Sequence, residues 1–163
     1  MRKRIFVAIG AAALWFAVPV MAANLEYKGI KTGMPLSELK TMFPNLLCDD
    51  EKAQVTTCTD ERGQGDSQES YVFNMFDGKL ARANIWISST KYREARDVLM
   101  RQLGKPTNKS ESEINKKKFE VLTWMRSAPS GLLVLEQAVS NDPTRTAIMM
   151  NDDQLIAAMS KAK

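Results

Sequence analysis

The sequence predicts an α+β fold, an antiparallel sheet of about six strands with two or three helices on one face. Two β-rich runs joined by Asp77-Gly78 are typical of a tight hairpin. Segments of helical periodicity separate the strand-like runs, and no strand-helix-strand crossover pattern is present. The predicted sheet is therefore antiparallel.

Three segments have the periodicity of amphipathic helices. The first lies between Pro35, which suits the first position of a helix, and Pro44, which stops the run. The second covers 91–103 and is ended by Gly104. The third follows Asn151, which can cap it. All three carry an apolar stripe that a sheet could bury.

The strand-like runs are apolar or alternating and are bounded by turn residues. Between the second helix and the next strand, residues 108–118 contain few apolar side chains, so we expect a loop there. The predicted strands cover 70–76, 79–88, 119–126, 132–139 and 144–150.

The order of elements can also be read as a tandem α-β-β-β repeat with halves 25–90 and 91–163. Each half runs from a short helix ended by proline into strands with one tryptophan, Trp86 in the first and Trp124 in the second. The length of 23–163 suits one domain and is too short for two ordinary ones.

The N-terminus has the pattern of a secretory signal peptide over residues 1–22. Three basic residues precede the apolar stretch from Ile5 to Val18, and small residues follow at the end of the segment. We expect cleavage after Ala22 or Ala23, with no membrane span left afterwards, and a periplasmic protein. An uncleaved anchor helix is the alternative, since the whole apolar run approaches membrane-spanning length.

Cysteine usage agrees with export. The chain has two cysteines, Cys48 and Cys58, on either side of a short polar segment. An even count in an exported chain predicts one disulfide bond. Their spacing is not that of a C-x-x-C redox pair. A structural disulfide is therefore expected.

Charge and composition exclude several functions. The net charge is +4, but without the three basic residues of the leader the balance is 20 basic to 19 acidic residues. That balance gives no electrostatic reason to expect nucleic acid as a partner. Histidine is absent, which excludes Ser-His-Asp and Cys-His catalysis and any metal site that needs histidine.

The remaining groups do not form a recognisable catalytic site. Acidic clusters occur at 49–51, 60–61 and 152–153, but none has the spacing of a calcium loop or a glycosidase pair. Ser37 and Lys40 match the letters S-x-x-K, without the companion motifs of the enzymes that use it. We assign no catalytic residue, cofactor or metal ligand.

Two short motifs resemble known families. The string from Gly29 to Leu39, with Gly33-Met34, resembles the helix start of the SmpA/BamE-like outer-membrane assembly lipoproteins and of the beta-lactamase inhibitory protein family. Gly104-Lys105-Pro106 after Leu103 is similar to the helix exit of the same families. The resemblance implies a helix pair on an antiparallel sheet, used for protein binding and not for catalysis.

The candidate binding surface is the outer face of the sheet. Alternation along 80–87 places Arg82, Asn84 and Trp86 on one side of the strand. If Trp124 and Arg126 share that face, it carries residue types enriched at interface hot spots. Packing of either tryptophan under a loop or helix is the alternative.

The sequence thus predicts a non-catalytic binding module or inhibitor whose partner is another protein of the bacterial envelope. Two alternatives remain: a small histidine-free hydrolase that uses carboxylates, and a structural component of an envelope assembly.

Overall fold

A computed structural model describes residues 25–127, 130–139 and 142–162. The signal peptide predicted for residues 1–22 lies outside these described residues. Within them, no helix is long and apolar enough to cross a membrane. The helices are α1 (Leu36–Met42), α2 (Tyr92–Leu103) and α3 (Asp153–Lys161).

Ten strands form two antiparallel sheets in the described part of the chain. A small sheet pairs β1 with β2, and the main sheet has the order β3-β4-β5-β6-β10-β9-β8-β7. The meander of the first half therefore meets that of the second half where β6 pairs with β10. The strands are β1 (Glu26–Tyr27), β2 (Ile30–Lys31), β3 (Leu47–Cys48), β4 (Val55–Arg62), β5 (Glu69–Phe76), β6 (Lys79–Ser88), β7 (Asn108–Ile114), β8 (Lys117–Ser127), β9 (Ser130–Glu136) and β10 (Arg145–Asp152).

The first face of the main sheet carries the hydrophobic core. Alternate residues of the strands, such as Phe73, Ile85 and Leu135, point to this face and are fully buried. Leu39 of α1 and Leu99 of α2 join the same cluster, together with residues of the small sheet. Two helices and the small sheet thus cover the first face.

The prediction of a sheet of about six strands with two or three helices on one face is wrong. The main sheet has eight strands, and α3 does not join the core of the first face. Instead α3 packs against β5, β6 and β9 from the opposite side, which we call the second face. Phe76 and Ala81 are buried outside the main core cluster, as expected of residues under a helix on that side.

Three strands of the main sheet, β3, β4 and β7, lie outside the predicted strands. β7 lies within 108–118, which was predicted to be a loop, and pairs along its whole length with β8. Its sequence lacks an apolar stripe because β7 is an edge strand that buries neither face. β4 is also polar and directs Thr56, Cys58 and Asp60 toward the core.

The hairpin predicted at Asp77-Gly78 is confirmed. Asp77 and Gly78 both have positive φ, at 47° and 69°, as a two-residue turn between strands of right-handed twist requires. The predicted helices are also present, although α3 is capped by Asp152 rather than by Asn151. The Asp152 carboxylate accepts hydrogen bonds from the backbone N–H groups of Gln154 and Leu155, both at 3.0 Å.

The predicted disulfide is confirmed. Cys48 and Cys58 are direct partners across β3 and β4, and their sulfur atoms are 2.06 Å apart. Cys58 is fully buried, so the bond ties the short edge strand β3 to the core. Neither described cysteine is a free thiol.

Candidate functional site

The pairing register decides which side chains share a face with Trp86. Across the sheet, Trp86 of β6 pairs with Ala147 of β10, Ala147 with Glu136 of β9, and Glu136 with Val121 of β8. Directly paired residues of neighbouring strands point to the same face. These four side chains therefore form one row across the second face.

Trp124 lies on the opposite face from Trp86. It pairs with Leu133 and belongs to the core cluster, with 3% of its surface exposed. Its indole N–H donates to the carbonyl of Gly104 at 3.0 Å. The polar end of a buried tryptophan is thus satisfied where α2 ends.

The predicted single face with Arg82, Asn84, Trp86, Trp124 and Arg126 is consequently not formed. Arg126 follows the alternation of Trp124 and points to the first face, whereas the other three residues lie on the second. The alternation within each strand was visible in the sequence, but the register between β6 and β8 depends on β9 and β10, which lie between them.

We call the open part of the second face, beyond the end covered by α3, the second-face patch. Asn84 and Met149 are neighbours in the row adjacent to that of Trp86. Leu47 and Met125 lie near the two edges of the same face and are 74% and 60% exposed. The patch comprises Leu47, Val72, Asn84, Trp86, Val121, Met125, Val134, Glu136 and Met149.

Hydrogen bonds fix the polar groups around Trp86. Arg145 donates to the carbonyl oxygen of Trp86 at 3.1 Å and to the hydroxyl of Ser70 at 3.2 Å. Arg82 donates to the Asn151 side chain at 2.9 Å, which ties β6 to β10. These two arginines are thus engaged within the sheet and hold the backbone on which Trp86 is presented.

Glu136 is the unusual polar group of the patch. Its half-buried carboxylate makes no hydrogen bond or ion pair with any described residue. Burial raises the pKa of Glu136 because the charged form is poorly solvated. An incoming donor or cation would relieve that cost.

The sequence analysis missed Val134, Glu136 and Met149 as members of this surface. The alternation of β9 and β10 was available as a signal, but both strands are apolar on both sides. The pattern alone therefore favoured burial and did not separate the core face from the open one.

The acidic clusters have local structural roles. Asp49 accepts hydrogen bonds from the backbone N–H groups of Asp50 and Thr57, which lower the pKa of its carboxyl group. Asp60 pairs with Arg62 at 2.7 Å. Among the described residues, no three acidic or cysteine side chains are grouped closely enough to hold a metal ion.

Comparison with known proteins gives no family. No family model matches the chain, and no curated protein matches it. Among solved structures, the fold is similar to that of a cysteine-rich secretory protein from Staphylococcus aureus, with a TM-score of 0.46 and 7% identity. The match covers 83% of this chain and 49% of the other, so this chain spans about half the length of that protein.

Proposed function

We propose that the chain is an exported, non-catalytic module that binds another protein of the bacterial envelope through the second-face patch. The observation that carries the proposal is the position of Trp86. It stands half-buried on a sheet face next to Asn84 and Met149, beyond the end that α3 covers. Its burial is incomplete, unlike that of Trp124 in the core.

The surroundings of Trp86 support this assignment. Two of the three most exposed large apolar side chains among the described residues, Leu47 and Met125, lie on the same face. Val134 and Met149 pair directly in the row next to Trp86, and contiguous apolar surface on a soluble protein is typical of interaction sites. Tryptophan and methionine are enriched in the cores of protein interfaces. The patch therefore has the composition of a docking surface for a protein.

The disulfide supports the location. Cys48 and Cys58 are bonded, and such bonds persist in oxidising compartments such as the periplasm. The leader-like pattern of residues 1–22 points to the same route. Export to the periplasm therefore forms part of the proposal.

The partner can be found by photo-crosslinking in the native envelope. A benzophenone amino acid at Met125 should trap one defined protein, and the same probe at Lys52, on a loop outside the patch, should not trap it. The Trp86→Ala variant should then bind the purified partner about 30-fold more weakly, since a central aromatic anchor contributes about 2 kcal/mol.

A matched control is Lys52→Ala, which removes an exposed side chain on a loop outside the patch. It should leave the affinity for that partner unchanged. Equal affinity of Trp86→Ala and the parent, with Trp86→Ala folded by circular dichroism, would refute the proposed function.

A further inference from the structure

A groove runs on the first face between α2 and the strands β7 and β8, on the opposite side of the sheet from the second-face patch. Its volume is about 750 Å³. The floor is apolar, formed by Met100 of α2, Pro106 of the following turn and Leu122 of β8. Met100 is 40% exposed, so the groove leaves apolar surface in contact with water.

The rim of the groove is basic. Arg96, Arg101, Lys105 and Lys109 line it, against two acids. Both acids already have partners: Asp97 pairs with Arg96 at 3.3 Å, and Glu120 accepts hydrogen bonds from Lys109 and Tyr92.

The interactions with Lys109 and Tyr92 lower the pKa of Glu120, so it stays ionised and keeps Lys109 engaged. Arg101 and Lys105 form no ion pair with any described residue. Glu111 and Glu113 lie farther along β7 on the same face as Lys109, so the groove favours an anion at the end where Arg101 and Lys105 lie.

β7, which contributes Lys109 to the groove, is an open edge of the main sheet. β7 is the outermost strand, and β8 is its only partner in the described part of the chain. In an edge strand, alternate residues direct their N–H and C=O groups away from the sheet. An extended peptide laid along β7 would satisfy these groups and place every second side chain on the groove side.

From this geometry we propose that β7 and the groove bind an extended acidic segment of a partner protein, which adds to the sheet as a ninth strand. Acidic side chains of the segment meet Arg101 and Lys105, and an apolar side chain covers Met100 and Leu122. Charge complementarity selects this occupant, and the backbone of β7 sets its extended form. This site shares no residue with the second-face patch.

The test uses a pool of fluorescent heptapeptides in which every second position is threonine. The positions between combine one glutamate with valine, leucine or phenylalanine, because only alternate side chains of a strand lie on the same face. Binding to the mature protein is measured by fluorescence anisotropy. We expect the acidic pool to contain peptides that bind at least tenfold more tightly than the same pool with lysine in place of glutamate. N-methylation of alternate backbone nitrogens should remove this binding, because it blocks strand pairing while it keeps the charge.

Charge reversal provides the matched variants. Arg101→Glu combined with Lys105→Glu should weaken binding of the best peptide at least tenfold. Lys116→Glu combined with Lys117→Glu makes the same change in net charge at the β7–β8 turn, away from the groove, and should have little effect.

Any of three results would overturn the inference: no acidic peptide binds better than its lysine counterpart, the N-methylated peptides bind equally well, or the Arg101/Lys105 variant retains full affinity.

Phosphatidylglycerol vesicles test a lipid surface as the alternative occupant of the groove. Binding to these vesicles through Arg101 and Lys105 without peptide binding would assign the groove to a lipid surface. A dimer in sedimentation equilibrium that competes with the peptide would assign β7 to a second copy of the chain.

Discussion

Among the described residues, each face of the main sheet carries one tryptophan, and the two tryptophans have different roles. Trp124 lies on the first face, where α2 and its neighbours bury it and Gly104 accepts its N–H. Trp86 lies on the second face, where α3 covers one end and leaves this side chain half-exposed. Composition along a strand therefore does not determine the role of a tryptophan, because that role depends on the face to which the pairing register directs its side chain.

The largest effect expected from this comparison is on stability. Trp124→Ala should lower the free energy of unfolding by about 3 to 5 kcal/mol, since it leaves a cavity in the core. Trp86→Ala should cost about 1 kcal/mol or less because Trp86 is already partly in water. Urea unfolding followed by circular dichroism measures both. Similar losses for the two variants would mean that the faces do not differ as described.

A second effect concerns the acid sensitivity of the first face. Glu69 lies at the edge of the core, where burial opposes its ionisation. Hydrogen bonds from Tyr71, Lys91 and Lys28 outweigh this penalty and lower the pKa of Glu69 to about 2. Its contribution to stability is therefore complete above pH 4.5, the ordinary pKa of this group, and declines as the pH falls toward 2.

Glu69→Gln should accordingly cost about 2 kcal/mol at pH 7 and much less near pH 2. Unfolding free energies of the parent and the variant, measured between pH 2 and 7, give the difference directly. Lys79, an exposed residue without an ion pair among those described, supplies the control: Lys79→Gln should show no comparable pH dependence. A constant difference between Glu69→Gln and the parent across the range would contradict the assigned network.

The sequence was sufficient for the local structure and insufficient for the arrangement of the strands. Asp77-Gly78 predicts a hairpin because few turns fit that dipeptide. The apolar stripe of α2 predicts its helix without any information on tertiary contacts. The sequence predicts a loop at β7 because an edge strand has no buried face to produce an apolar pattern. The sequence also does not predict which face of the sheet α3 covers, since its amphipathic stripe fits either face.

The candidate site shows the same division. The set Arg82, Asn84 and Trp86 could be grouped from alternation within one strand. Glu136 could not be assigned to this set from the sequence. It lies in the same row as Trp86 because β10 lies between β6 and β9. Long-range pairing of strands distant in sequence is therefore the information that the sequence analysis lacked.

The smallest effect, and the one that separates the two faces most sharply, is at Glu136. Glu69 on the first face has its charge satisfied by three hydrogen-bond donors, whereas burial raises the pKa of Glu136 on the second face. A raised pKa in an acid means that ionisation at neutral pH opposes folding, and stability is gained as the pH falls through the folded-state pKa. Glu136→Gln should therefore increase the free energy of unfolding at pH 7, by a few tenths of a kcal/mol after allowance for solvent screening.

The same variant should weaken binding of the partner trapped at the second-face patch, because natural sites often retain an unfavourable charge that a ligand satisfies. Urea unfolding and titration calorimetry on one preparation test both parts, and a Glu136→Gln protein that is less stable than the parent would show that this carboxylate is satisfied within the fold.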